Sequence, residues 1–499
     1  MDLSRFKNKK IALLGMGIEN ISVAKFFRLH KIDFVILDKA PIEKLSKEAQ
    51  EVIGKEKCEI RTGENYLSHL KDFEIIVRTP GIPYLTPEIQ EARLRHGYGG
   101  QTKENGSEIT SSTKLFFDFC PAKIVGVTGT KGKGTTATLI SEILKQNQKS
   151  KIKNQNDNSK LKNNNLTTRL AYGSPRRIQQ FNNVFLIGNI GIPSFDIIEK
   201  IQADDIVVFE LSSFQLQDLE ISPHIAVITN LADDHLDYHQ SLEEYRATKR
   251  VILKYQKKGD FAIINKDYPE AYRLKDFGQA KKYFFSSKEK IDNGAFVDSD
   301  GKVYLTVGGH ELICRQNEIK LIGRHNLENI AAASVVGKIL QVPIEIIQDA
   351  VKNFAGLPCR LEFVKEIDGV KYYNDSFSTN PTPTIAAIKS FSIPITLILG
   401  GSEKGADFSD LAKEIAKSQV NNIIVIGKEG AKIKDAMIST RVKAKITNGG
   451  KTIEKIVSQA KEITNSGVVL FSPACASFDM FKNYKDRGEK FMEAVKKLK

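Results

Sequence analysis

Cysteine is scarce and never paired. The five cysteines (Cys58, Cys120, Cys314, Cys359, Cys475) are scattered through 499 residues with no CxxC pair. That excludes a disulfide framework and a cysteine zinc site, and it points to a reducing, cytoplasmic setting. No apolar run reaches the length that a membrane crossing needs, so no membrane association is expected. Lys7, Lys9 and Lys10 before Ile11-Ala-Leu-Leu14 imitate a signal peptide, but the run is too short and breaks at Glu19. A basic stripe interleaved with aromatics is missing as well. Net charge is +14, yet residues 145–177 hold nine basic side chains against Asp157, which leaves about +6 elsewhere. The surplus is therefore local and is no nucleic-acid footprint. What remains is a chain 41% hydrophobic, long enough for about three domains.

One stretch organises the rest: Ile124-Val-Gly-Val-Thr-Gly-Thr-Lys-Gly-Lys-Gly-Thr-Thr136. An apolar run (124–127) reads as a buried strand, and residues 135–144 read as a helix. Between them lies a turn with Gly129, Thr130, Lys131, Gly132, Lys133 and Gly134, followed by Thr135 and Thr136. Glycines let backbone N–H groups approach phosphate oxygens, and the helix N-terminus favours the anion. Lys133 would supply the charge for the β- and γ-phosphates. Gly134 stands where a metal-binding hydroxyl is usual, so Thr135 is the expected Mg²⁺ ligand. Gly126-x4-Lys131 is not a standard Walker A spacing, and the bland reading is a glycine turn before an ordinary helix.

Upstream, a strand over 10–15 runs into Gly15-Met-Gly17-Ile-Glu-Asn20, then a helix to about Leu29, then a strand ending at Asp38. This is a nucleotide-binding βαβ pattern with a broken fingerprint, since Asn20 replaces the third glycine. Residues 75–77 form a strand entering Arg78-Thr-Pro-Gly-Ile-Pro83, residues 98–107 read as a linker, and residues 109–119 as a helix. The polar segment 145–183 cannot bury enough apolar surface to order itself and reads as a mobile insert. Ile206-Val-Val-Phe-Glu210 is a buried strand ending in a carboxylate, the simplest holder of Mg²⁺ beside a phosphate loop. His235 stands among Asp233, Asp234 and Asp237, either a solvated turn or a metal site. Lys249 reads by itself as a solvent-facing helix lysine. Asn326 and Asn329 share a helix face and could read a purine edge or cap the helix. Strands and helices alternate again from 370 to 471, with polar turns at the strand C-termini. The fold expected is α/β in three domains: Rossmann-like (1–112), a central P-loop ATPase-like parallel sheet (113–357, with the insert), and Rossmann-like again (358–499).

Taken together these motifs resemble the Mur ligase family nearly end to end, interrupted mainly by the 145–183 insert. Leu399-Gly-Gly-Ser-Glu-Lys-Gly-Ala-Asp-Phe408 and Leu470-Phe-Ser-Pro-Ala-Cys-Ala-Ser-Phe-Asp479 with its continuation to Gly488 are similar to the branch that adds D-glutamate. The resemblance implies ATP-dependent amide formation through an acyl phosphate, in a cytoplasmic monomer making peptidoglycan precursor. The implied partners are UDP-N-acetylmuramoyl-L-alanine and D-glutamate, with ATP and two Mg²⁺ ions. By resemblance, Lys133 holds the ATP phosphates, Thr135 and Glu210 the first Mg²⁺, and His235 the second. Lys249 matches a lysine that the family carbamylates with CO₂, which reverses its bland reading. Asn326, Asn329, Arg360 and Asp375 match ATP positions. Ile18, Glu19, Asp38, Thr79, Gly81, Asn189, Ser213 and Gln215 match the UDP-muramoyl-peptide site. Thr379, Lys404, Ser477 and Tyr484 match the amino-acid pocket. Phe377 stands where some members carry a phosphate-contacting lysine, and Tyr484 replaces a common Phe. Rival readings are a ligase of the same family with another amino acid, a non-catalytic nucleotide-binding module, and a dinucleotide oxidoreductase. The last leaves the central loop unexplained.

Overall fold

The computed structural model describes residues 1–54, 59–94, 106–161, 181–188, 191–231, 241–403 and 405–498, with the backbone alone over 151–161. These pack into two compact units, residues 1–314 with 328–351 and residues 315–327 with 352–499.

The first unit holds two sheets. Strands β1 (Ile11–Leu14), β2 (Val35–Asp38), β3 (Ile60–Thr62), β4 (Ile75–Arg78) and β5 (Glu108–Ser111) form the first, in the order β3-β2-β1-β4-β5. All its pairings are parallel. The order reverses between β1 and β4, so the crevice for a ligand opens where those two strands end. Residues 109–111 thus complete a sheet, where a helix had been expected; the helix begins only at Ser112–Phe119. β-Branched Ile109 and Thr110 are buried against β4, and tertiary pairing decides a segment that short.

The second sheet has β6 (Lys123–Thr128), β7 (Val184–Gly188), β8 (Ile206–Glu210), β9 (Ile225–Ile228), β10 (Phe261–Asn265), β11 (Lys281–Ser286), β12 (Gly294–Val297), β13 (Lys302–Leu305) and β14 (Glu311–Arg315). Its order is β14-β13-β12-β11-β10-β9-β6-β8-β7. The strands from β7 to β12 run parallel, and β13 turns back antiparallel on β12. Ile225, Ala226, Val227 and Ile228 are buried without alternation, the mark of a strand covered on both faces. Phe116 and Phe117 from the helix after β5 pack on Phe209 of β8, at 5.5 and 6.0 Å between ring centroids.

The helix after the glycine loop runs from Lys133 to Leu161, well past the expected end at 144. The insert therefore begins helical, not as the mobile loop its composition suggested. No proline or glycine interrupts residues 135–161, and Lys, Gln, Ser and Asn cost a helix only tenths of a kcal/mol each, roughly, against alanine. Residues 162–180 of that insert lie outside the described residues.

The second unit carries β15 (Glu362–Ile367), β16 (Val370–Asn374), β17 (Ile395–Gly400), β18 (Val420–Ile426), β19 (Lys445–Asn448) and β20 (Val468–Phe471), in the order β15-β16-β20-β17-β18-β19. Only β15 is antiparallel to its neighbour. The expected α/β architecture stands, with an antiparallel extension on the central sheet. Among the described residues no helix is long and apolar enough to cross a membrane.

Candidate functional site

The ends of β6, β8 and β9 lie side by side. Register pairs Val127 with Glu210 and Thr128 with Ile228, so the loop after β6 is flanked by a carboxylate on one side and by Thr229-Asn230 on the other. The Asn230 side-chain oxygen accepts from the backbone N–H groups of Thr130 (3.0 Å) and Lys131 (2.8 Å). Thr229 donates its hydroxyl to the Lys131 carbonyl at 2.6 Å. Lys133 lies over the loop, its ammonium donating to the carbonyls of Gly129 (2.8 Å) and Thr130 (3.1 Å). Thr136 donates to the Asn329 side-chain oxygen at 3.1 Å. Gly132 has φ +81°, and a Cβ there would stand 2.5 Å from that same oxygen, so only glycine lets the loop pass. Gly134 is buried and Thr135 half-buried.

Lys249 does not face solvent. On the helix Leu242–Lys254 it is 2% exposed, and its ammonium donates to the Thr128 hydroxyl at 2.8 Å. Tyr245, one turn earlier, brings its hydroxyl to 3.1 Å from that of Thr130. Residues at i and i+4 share a helix face, so this helix grips the loop from its far side. Glu210 is 5% exposed at the end of β8. Carboxylate and hydroxyl oxygens are the hard donors that Mg²⁺ prefers, and Glu210 with Thr135 fits that chemistry. An ammonium does not, so Lys249 suits a metal only in a form that presents oxygens. His235 lies outside the described residues, as do Asn189 and Lys404.

At the crevice of the first sheet, Asn20 fills the place of the missing glycine. It is fully buried, and its amide donates to the carbonyls of Leu14 (3.1 Å), Gly15 (2.8 Å) and Val77 (3.0 Å), pinning the turn to β1 and β4. Asp38 accepts from the N–H groups of Met16 (2.7 Å) and Ala40 (2.8 Å). A Cβ at Gly17 would stand 2.7 Å from the Thr79 hydroxyl oxygen, so the turns after β1 and β4 touch. Glu19 accepts from Ser112 (2.8 Å) and Gln215 (3.2 Å), and burial holds its carboxyl above the usual range. Ser213 is buried beside Gln215, whereas Ile18 is exposed. Gly81 has open space around its Cα. Structure thus brings Glu19, Thr79, Ser213 and Gln215 to one seam, with Asp38 behind the turn.

In the second unit, Asp375 follows β16. It accepts from the Ser472 hydroxyl (2.7 Å), the Leu361 N–H (3.1 Å) and the Ser378 hydroxyl. Burial raises its carboxyl to about 6 despite those donors and Arg360. The Arg360 guanidinium lies 3.7 Å from the centroid of the Phe377 ring, which meets Tyr484 edge-on at 5.0 Å. Ser477 is buried and Thr379 half-buried. Asn326, just inside the helix His325–Ile339, donates its amide to the Ile322 carbonyl at 2.7 Å; its partner Asn329 falls in the first unit. Sequence reading missed Asn230, Thr229 and Thr128. The available signal was Thr229-Asn230 directly after a buried strand.

Three family models match in succession: "Mur ligase MurD-like, N-terminal domain" over 9–97, "Mur ligase middle domain" over 127–337 and "Mur ligase, glutamate ligase domain" over 359–475. The UDP-N-acetylmuramoylalanine–D-glutamate ligase of Clostridium kluyveri is 38% identical across 99% of this chain and 98% of its own. The chain belongs to the Mur ligase family. The ligase of the same name from Clostridium acetobutylicum is 36% identical to it over 99% of this chain and 97% of its own length. Among solved Mur ligases, the UDP-N-acetylmuramate-alanine ligase MurC of Thermotoga maritima superposes with a TM-score of 0.55 at 17% identity, covering 98% of this chain and 99% of that one. MurF of Acinetobacter baumannii gives 0.53 at 16%, covering 79% and 82%. The Mur ligase fold, three α/β domains, is therefore the fold of this chain.

Proposed function

We propose that this Mur ligase joins D-glutamate to the alanyl carboxylate of UDP-N-acetylmuramoyl-L-alanine at the expense of ATP, in the cytoplasm, for peptidoglycan synthesis. The supporting observation is near-full-length likeness to ligases named for that reaction, joined to a phosphate loop with its lysine in place. A carboxylate is a poor electrophile because its leaving group would be oxide. Its oxygen attacks the γ-phosphorus, ADP leaves, and the acyl phosphate carries a good leaving group. The amine of D-glutamate then attacks the carbonyl carbon, loses a proton, and expels phosphate.

Catalysis of such a sequence is mostly positioning and charge neutralisation. Lys133 and the loop N–H groups bind the phosphates, and Asn230 and Tyr245 hold that loop. Glu210 and Thr135 would hold Mg²⁺, which supplies charge neutralisation at the transferring phosphoryl group when bound. Lys249 is proposed to be carbamylated: its neutral amine adds to CO₂ with loss of a proton, turning a cation into an oxygen donor. His235 belongs with it in this reading. Asn326, Asn329, Arg360 and Asp375 are assigned to ATP. Ile18, Glu19, Asp38, Thr79, Gly81, Asn189, Ser213 and Gln215 are assigned to the sugar-nucleotide peptide, and Thr379, Lys404, Ser477 and Tyr484 to D-glutamate. The protein is taken to act as a monomer.

Phosphate release from ATP and Mg²⁺ with UDP-N-acetylmuramoyl-L-alanine tests this, comparing D-glutamate, L-glutamate, L-lysine and no amino acid. Release that depends on D-glutamate, with a product heavier by one glutamyl residue, is expected. Release driven equally by L-lysine would redirect the assignment to another ligase of the family.

A further inference from the structure

Arg78 ends β4 and is completely buried, and so is the carboxylate it meets: side-chain exposure is 0% for Arg78 and 1% for Asp218, with 3.4 Å between Nη2 and Oδ2. Asp218 lies just beyond the short helix Ser213–Leu216 that follows β8. The Arg78 guanidinium also donates to backbone carbonyls. Nη1 donates to the carbonyls of Thr79 and Pro80, both at 3.4 Å, and to that of Ile82, while Nη2 also donates to the Phe214 carbonyl at 3.3 Å. One planar fork thus ties the Thr79–Ile82 turn of the first sheet to the 213–218 segment of the second. Asp218 accepts in addition from Ser111 at 3.1 Å, so the first sheet holds both ends of the pair.

From this geometry we infer that Arg78 is a positioning residue for the sugar-nucleotide substrate. It touches no reacting atom. It makes the Thr79–Gly81 turn and the Ser213–Gln215 turn one rigid wall, across the crevice that opens between β1 and β4. Both turns carry residues assigned above to that substrate, so the inference rests on that assignment. A lysine could supply the charge but not the fork, because an ammonium cannot serve three carbonyls of a turn, a fourth across the seam and a carboxylate in one plane. The ATP loop hangs on Asn230, Tyr245 and Lys249 and shares none of these bonds.

The test uses Arg78→Lys and, should that fail to fold, the charge-balanced double variant Arg78→Met/Asp218→Asn, which leaves no lone buried charge. KM is measured separately for UDP-N-acetylmuramoyl-L-alanine, ATP and D-glutamate, and UDP binding by calorimetry, alongside the melting temperature. In either variant KM for the sugar nucleotide and Kd for UDP rise about tenfold, while KM for ATP and D-glutamate stay within about twofold. A joint rise of all three constants, or a lower melting temperature with unchanged constants, overturns the inference. Wild-type protein that binds UDP without turning over the muramoyl substrate would sink the proposed reaction instead, and the UDP affinity of Arg78→Lys would still decide the role of Arg78. Wild-type protein that does neither removes both.

Discussion

Two turns in the first unit share one frame and differ in what lines it. After β1 and after β6 the chain makes the same move: buried strand, glycine turn, helix N-terminus. At Gly15–Gly17 the side chains that hold the turn are an amide and a carboxylate, Asn20 and Asp38, with the carboxyl of Glu19 close by. At residues 129–132 they are an amide, hydroxyls and an ammonium: Asn230, Thr229, Tyr245 and Lys133. The frame supplies backbone N–H groups in both. Charge separates the two: Lys133 adds a cation to the helix dipole at the second turn, while the carboxylates at the first can accept from hydroxyl or N–H groups of a ligand. A strand–glycine–helix pattern alone thus says that something binds; the side chains behind the glycines say what.

The sharpest way to break this contrast is Lys133→Met. We expect ATP-dependent turnover to fall by at least about 100-fold, as for loss of one preorganised charge contact, with UDP affinity unchanged by calorimetry. Equal loss of UDP affinity would mean the two turns are not independent sites. Asp375 extends the comparison to the second unit, where a carboxylate is buried rather than merely close. Its folded-state value of about 6 lies above the ordinary 3.8, so folded protein holds the proton more tightly than unfolded chain. The penalty for burying the carboxylate is absent below pH 4 and complete above about pH 6. Relative to Asp375→Asn, wild-type stability should fall between those limits by about 3 kcal/mol at most. Urea unfolding at pH 4.5 and pH 7 reads the difference, and a gap independent of pH contradicts it.

Asn20→Ala sharpens the contrast from the other side. It leaves the Leu14, Gly15 and Val77 carbonyls without that amide, an expected cost of about 1–3 kcal/mol in urea unfolding. KM for the sugar nucleotide should rise, and KM for ATP should not. The smallest effect is expected where neither turn is touched. Replacing residues 162–180 by a glycine–serine linker should alter kcat by less than about twofold, judged from a composition poor in core-forming residues; a folded but inactive variant would give that segment a role.

The parallel strands were legible because they are buried on both faces and therefore read as unbroken apolar runs, as 206–209 and 225–228 do. The glycine loop was legible for the opposite reason: its residues have no packing excuse. Lys249 was not, because its burial depends on Thr128, 121 residues away, and on a helix whose other face is wet; only family resemblance lifted it. Local pattern also misjudged both ends of polar stretches. Residues 109–111 became strand through pairing with β4, and residues 145–161 stayed helical because nothing in them stops a helix. Edge strands such as Lys445–Asn448 went unread, since a mostly part-exposed strand carries no apolar signature.

The bond between Lys249 and Thr128 also has an implication for how the protein is made. During synthesis β6 and its loop leave the ribosome first, and Leu242–Lys254 follows more than a hundred residues later. Until then Thr128 and Thr130 lack the helix that holds them. Closing such a long-range contact comes late in assembly. A nascent chain halted before residue 255 has its phosphate loop in sequence but not in working order, so competence for ATP arrives with the second half of the first unit and not with the glycines themselves.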